Sequence, residues 1–193
     1  MKIIFATNNK NKVEEIKHLS HQKFEIFTLQ EMGIDIDIPE PHDTLEANAT
    51  EKSSTIYKLT KEAVFSEDTG LEVEALDGAP GVKSARYAGE GRNMQDNIDK
   101  LLAELTNKPS RAARFRTVVS LIIGGKEYQF EGICKGHITT AQDGTSGFGY
   151  DSVFIPEGSN ITFANMDISE KNKFSHRKKA VQQLINFLND YEA

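Results

Sequence analysis

The chain has 193 residues, 38% hydrophobic and 27% charged, enough to bury a core, and it reads as a single domain over residues 1–193. A formal net charge of −6 argues against an indiscriminate nucleic-acid partner, and Cys134, the only cysteine, excludes an internal disulfide and reads as a small core residue. With no leader-like N-terminus and no eighteen apolar residues in a row, a cytoplasmic protein without a membrane partner is expected.

Lys2 to Ala6 predicts a strand, followed by the polar run Thr7-Asn8-Asn9-Lys10-Asn11-Lys12 and then Val13, Ile16 and Leu19 at helical spacing. Amides at a helix start, reinforced by two lysines, suit a phosphate chain; a solvated turn that caps the helix fits the same residues. The Gly-x-x-x-x-Gly-Lys-Ser/Thr loop is absent. Asp43 and Glu46 resemble a capping box, and Leu45, Ala49, Ile56, Leu59 and Ala63 predict a helix over about 44–61.

Val64-Phe65 predicts a short strand that stops at Glu67-Asp68, with Thr69-Gly70 turning the chain into a second strand over Leu71 to Ala75. Two carboxylates delivered together to a sheet end raise one another's pKa or share a metal, and all-oxygen ligands suit Mg²⁺ or Mn²⁺; two solvated acids at a turn are the alternative. Asn93 is placed to cap a helix running through Met94, Ile98, Leu101, Leu102 and Leu105 and ending near Pro109.

Arg114 to Ile123 and Tyr128 to Thr140 read as a long hairpin joined through Gly124-Gly125. The glycine-rich stretch Asp143 to Asp151 is a shaped loop, in which Phe148 suits stacking on a planar ligand and Asp151 suits accepting N–H bonds from its edge. Core packing at a bend is the alternative, more so for Tyr150 than for Phe148. Val153-Phe154-Ile155 predicts a short strand. Ser169 to Lys179 gathers five Lys and Arg residues, and an amphipathic helix starts at about 176. In its first turn His176 and Arg177 oppose the helix dipole, at roughly 0.3 to 1 kcal/mol each, so a bound anion or a base carbonyl would relieve them. Lys178 and Lys179 read as solvated charges. Helices interspersed with hairpin and crossover strands predict an α/β fold with a mixed sheet.

Thr7-Asn8-Asn9-Lys10-Asn11-Lys12, Glu67-Asp68-Thr69-Gly70-Leu71, the run from Gly78-Ala79-Pro80-Gly81 to Arg86-Tyr87-Ala88-Gly89, Phe148-Gly149-Tyr150-Asp151 and Ser175-His176-Arg177 together resemble the inosine/xanthosine triphosphate pyrophosphatase family of the Ham1 type, from residue 2 to about 188. That resemblance implies an elongated mixed α/β fold of two lobes around a central cleft, usually a homodimer. The implied reaction is hydrolysis of XTP, ITP and dITP to the monophosphate and pyrophosphate with Mg²⁺, Mn²⁺ being the other candidate.

It further implies that Asp68 activates water, with Glu67 supporting the metal and Glu40 a second ligand. Lys10, Lys12 and Lys171 would neutralise the triphosphate, and Thr7, Asn8, Asn9, Asn11 and Thr69 would bind substrate. Phe148, Gly149, Tyr150, Asp151, His176 and Arg177 would form the base pocket, His176 or Arg177 supplying donors to O6. The chain departs from the common Asp-Asp-Ser-Gly version of the acidic motif with Glu67 and Thr69, and has Ser152 where a proline is usual. A nucleotide-binding module without catalysis, or a pyrimidine triphosphate as substrate as in the similar Maf-type enzymes, are the rival readings.

Overall fold

Twelve elements follow one another along the described residues: β1 (Lys2–Phe5), α1 (Lys10–Lys17), β2 (Glu25–Thr28), α2 (Leu45–Thr60), β3 (Val64–Val73), β4 (Pro80–Gly81), α3 (Met94–Glu104), β5 (Ala112–Ile123), β6 (Lys126–Ile138), β7 (Phe154–Pro156), α4 (Ile168–Phe174) and α5 (His176–Asp190). This computed structural model describes residues 1–17 and 24–191, Lys17 by its backbone alone, so Leu19 lies outside the described residues. The strands hydrogen-bond in the order β2-β1-β3-β5-β6-β7, with β4 on β3. β1 is parallel to β2 and β3, whereas β4 is antiparallel to β3 and β7 to β6, which makes the sheet mixed, as expected. No helix among the described residues is long and apolar enough to cross a membrane.

The chain divides into two compact units, the first made of Met1–Asp68, Thr117–Gly132 and Arg177–Ala193, the second of Thr69–Arg116 and Ile133–His176. In the first unit the alternation of strand side chains builds two cores. Ile3, Phe5 and Phe65 pack with Ile16 of α1 and with Ala180, Val181 and Leu184 of α5, while Ile4, Ala6 and Val64 pack with Ile56 of α2. Phe5 and Phe65 stack at 4.5 Å, fixing β1 against β3. The second unit has its own core around Leu71, Ile98, Leu101, Phe115, Phe154 and Phe163, and Cys134 is buried in it.

Several expectations are corrected. β3 is one ten-residue strand, so Thr69-Gly70 does not turn the chain. Gly70 is there for proximity: a Cβ on it would lie 2.6 Å from the Gly81 carbonyl oxygen, so its bare backbone lets β4 pair with β3. Thr44, not Asp43, caps α2, its hydroxyl accepting the Ala47 N–H. Leu59 is 63% exposed and lies off the buried stripe of that helix. Asn93 does cap α3, accepting the Gln95 and Asp96 N–H groups, and α5 begins at His176 as expected. β2 and α4 were not anticipated, the one being four residues long and the other lying inside the basic cluster.

Candidate active site

Within β3 the two adjacent carboxylates face opposite sides of the sheet, as strand geometry requires. Asp68 turns with Ser66 toward α2, and Glu67 turns with Phe65 toward α1 and α5. Ser66 donates to the Ala49 carbonyl at 2.5 Å, seating β3 on α2.

On the α2 side, Lys52 Nζ stands 3.0 Å from Asp68 Oδ1 and 2.6 Å from Glu40 Oε1. Lys52 is buried because the inward stripe of α2 carries Asn48, Lys52 and Ser53 alongside Leu45, Ala49 and Ile56. Asn48 holds the loop that presents Glu40, accepting the His42 N–H at 3.0 Å and donating to the His42 carbonyl at 3.1 Å. Burial pushes the Asp68 carboxyl above the usual range; Lys52 and Lys12 pull against it, and Glu40 adds to the rise. Burial also opposes the charge on Lys52, but Asp68 and Glu40 outweigh it and hold the ammonium above its ordinary value. Two carboxylates thus converge on one cation position, filled by an ammonium.

On the opposite side, Lys12 Nζ lies 3.1 Å from Glu67 Oε1, Arg177 Nε donates to Glu67 Oε2 at 2.9 Å, and Arg177 Nη1 meets the Glu15 carboxylate. Burial alone would raise the Glu67 pKa; Arg177 and Lys12 override it and hold the carboxyl far below the usual range. The conflict expected from Arg177 at the start of α5 is met within the protein by two carboxylates, Glu67 and Glu15. Among the described residues no three His, Cys, Asp or Glu side chains gather to hold a metal. Glu67 does not join Asp68 and Glu40, because strand alternation turns it to the other face.

In the opening loop Asn9 caps α1, its side-chain oxygen accepting the Lys12 N–H at 3.2 Å, and its own N–H donates to Thr7 Oγ1 at 3.2 Å. The Asn8 amide donates to the Ile36 carbonyl at 2.9 Å. Lys10 and Asn11 are exposed at the helix N-terminus.

The second unit gathers the aromatic loop. Asp151, 4% exposed, accepts the Phe148 N–H at 3.0 Å and Lys171 Nζ at 2.8 Å through the same oxygen, and that ammonium lies 5.3 Å from the Phe148 ring centroid. Gly147 has φ +81° and a Cβ there would meet Asp151 Oδ2 at 2.2 Å, so the loop closes only with glycine. The Gly149 N–H donates to Met94 Sδ at 3.0 Å. His176 is buried and stacks on Phe115 at 4.7 Å and 12°. Thr69, half-buried, follows Asp68 in β3.

Three placements bear on the expected roles. Lys171 pairs with Asp151 and lies over the Phe148 ring. Arg177 is engaged by Glu67 and Glu15 in the first unit. Tyr150 is core: its hydroxyl donates to the Ser84 carbonyl at 2.9 Å, and burial pushes its pKa up.

The sequence matches the Ham1 family over residues 3–187. The chain belongs to that family. A dITP/XTP pyrophosphatase of Flavobacterium johnsoniae is 48% identical over 188 residues, covering 97% of this chain and 98% of its own. One of Porphyromonas gingivalis is 51% identical over 188 residues, covering 97% of each. Among solved structures, the Staphylococcus aureus Ham1 protein aligns with a TM-score of 0.89 at 36% identity over 98% of both chains. A HAM1 protein from Coxiella burnetii aligns with a TM-score of 0.91 at 31% identity, over 99% of this chain and 100% of its own.

Lys52, Glu15 and Ser84 of this Ham1-family chain were missed as site residues by sequence reading. For Lys52 a signal existed: it falls four residues after Asn48 on the stripe that runs from Leu45 to Ile56. Ser84 lies in the Gly78–Gly89 motif, where its hydroxyl takes the Leu71 N–H at 2.8 Å and its carbonyl takes Tyr150. It thereby ties the segment after Thr69 to the aromatic loop. Glu15 carries no signal in its local sequence.

Proposed function

We propose that this protein hydrolyses non-standard purine nucleoside triphosphates, dITP, XTP and ITP, to the nucleoside monophosphate and pyrophosphate. The observation that carries the reading is the convergence of Glu40 and Asp68 on one cation position. One or two carboxylates, completed by substrate phosphates and water, are the usual protein share of a Mg²⁺ site, so these oxygens fit Mg²⁺, with Mn²⁺ the alternative. When bound, the ion supplies charge neutralisation at the triphosphate.

Asp68 accepts the proton of a water molecule whose oxygen bonds to the α-phosphorus. The bond from that phosphorus to the α–β bridging oxygen breaks, and pyrophosphate leaves with that oxygen. Lys10 and Lys12 balance the charge of the triphosphate, and Thr7, Asn8, Asn9, Asn11 and Thr69 give it hydrogen-bonding backbone or side chains. Phe148 stacks on the base, and Gly149, Asp151, Lys171 and His176 shape its surroundings. Tyr150 supports that loop from beneath. A donor to O6 favours hypoxanthine and xanthine over adenine, whose amino group would meet another donor. A cytoplasmic homodimer belongs to the same reading, and light scattering of the purified protein measures that state.

Pyrophosphate release with Mg²⁺ from ITP, XTP, dITP, GTP, dTTP and UTP tests the proposal. The three non-standard purines are expected to be preferred by about tenfold or more in kcat/KM. A pyrimidine preference, or no release from any of them, would sink it.

A further inference from the structure

We propose that Glu67 is a positioning residue for Lys12, anchored in turn by Arg177 and Glu15, and that it is not a ligand of the metal. The inference rests on the assignment of Lys12 to the triphosphate made above. Lys12, Glu67, Arg177 and Glu15 form a relay of alternating charge that leaves α1, crosses β3 and α5, and returns to α1 three residues further on. The Glu67 side chain is fully buried and that of Arg177 is 3% exposed. Such charges persist in an interior only when each is paired, as these are.

The relay has a mechanical consequence. A lysine ammonium rides on a flexible four-carbon stem and is poorly localised unless something holds it. Glu67 Oε1 holds this one at 3.1 Å, while Oε2 is taken by the Arg177 guanidinium, whose other end is fixed by Glu15. The N-terminal turn of α1, with Lys10 and Asn11, is thereby tied to the strand that carries Asp68. Both oxygens of Glu67 are directed to cations of the protein, on the face of β3 opposite the Asp68–Glu40 pair.

The test combines a metal titration with a kinetic cycle on the full chain. Mn²⁺ binding without nucleotide, read from the loss of the free-ion electron paramagnetic resonance signal, is expected to stay within about twofold of wild type in Glu67→Gln and to weaken about tenfold or more in Glu40→Gln. With ITP, Glu67→Gln is expected to raise KM about tenfold with a smaller change in kcat, and to have no further effect on KM in a Lys12→Met background. Weakened Mn²⁺ binding in Glu67→Gln, or a KM effect that persists without Lys12, would overturn the proposal.

Should Glu67→Gln fail to fold, Glu15→Gln enters the same cycle against Lys12→Met; a smaller KM rise that vanishes in the Lys12→Met background supports the relay, and strict additivity refutes it. If the wild type releases no pyrophosphate from ITP, the proposed function falls, and the Mn²⁺ titration alone decides whether Glu67 is a ligand.

Discussion

Replacing Lys52 with methionine isolates the ammonium that stands where a metal is expected. The substitution keeps an unbranched apolar stem, one atom shorter, but leaves Asp68 and Glu40 facing one another without their counter-ion. Breaking a buried ion pair by removing one partner costs about 3 to 5 kcal/mol, and the 25% exposure of the Glu40 side chain places this case near about 3 kcal/mol. For a chain of this size that corresponds to a fall in Tm of about 6 to 12 °C. A divalent ion that binds the folded form alone returns about 2.7 kcal/mol when present at a hundred times its Kd, nearly the whole loss. Differential scanning fluorimetry with and without Mg²⁺ reads both effects. The Lys52→Met protein is expected to melt lower and to gain more from Mg²⁺ than the wild type, in which the ammonium competes for the same oxygens. A fall of less than about 2 °C, or equal Mg²⁺ shifts in the two proteins, would refute the idea that Lys52 holds the cation position.

Asp68→Asn is expected to lower kcat for ITP by a factor of about 10² to 10⁴ while nucleotide binding by calorimetry stays within a fewfold of wild type; undiminished turnover would remove Asp68 from the chemistry. Because the folded pKa of Glu67 is depressed, its contribution to stability is present above its unfolded value, near 4.5, and is lost as pH falls below it. Denaturant titrations from pH 6 to pH 3 are thus expected to show a slope steeper by up to about 1.4 kcal/mol per pH unit in wild type than in Glu67→Gln, and parallel curves would contradict the assignment. Gly147→Ala forces a side chain onto Asp151 Oδ2 at a positive φ, so the ratio of kcat/KM for ITP over GTP should fall with little change in the half-saturating Mg²⁺ concentration. An unchanged ratio would mean that this loop does not read the base.

What could be read in advance was decided by short-range chemistry. Asn93 declared a helix start, and the helical spacing from Ala180 to Leu188 declared α5, because capping and amphipathicity are written within a few residues. The continuity of β3 was hidden for the opposite reason. Thr69-Gly70 favours a turn locally, and only pairing with Gly81, eleven positions away, makes the glycine a point of close approach. Lys52 was passed over because a helical lysine ordinarily faces water, and nothing near it in sequence discloses that Glu40 and Asp68 will meet it from either side. Arg177 was rightly singled out as needing a negative partner, yet that partner is Glu67, 110 positions earlier, a separation no local pattern encodes. Lys171 and Asp151, twenty residues apart, were each noticed and assigned to different ends of the substrate; only the fold unites them.

The alternation along β3 makes parity, not adjacency, the property that the acidic motif must preserve. From Val64 to Asp68, even-numbered positions look toward α2 and odd-numbered ones toward α1 and α5. One residue inserted or deleted between Val64 and Glu67 would leave the chain's charge and the motif's spelling intact while exchanging the two faces. Asp68 would then lie against Arg177 and Glu67 against Lys52. An edit of two residues keeps each carboxylate on its proper face and only slides it along the strand. The dipeptide is in effect a two-sided part, and reading frame within the strand is what tells its sides apart.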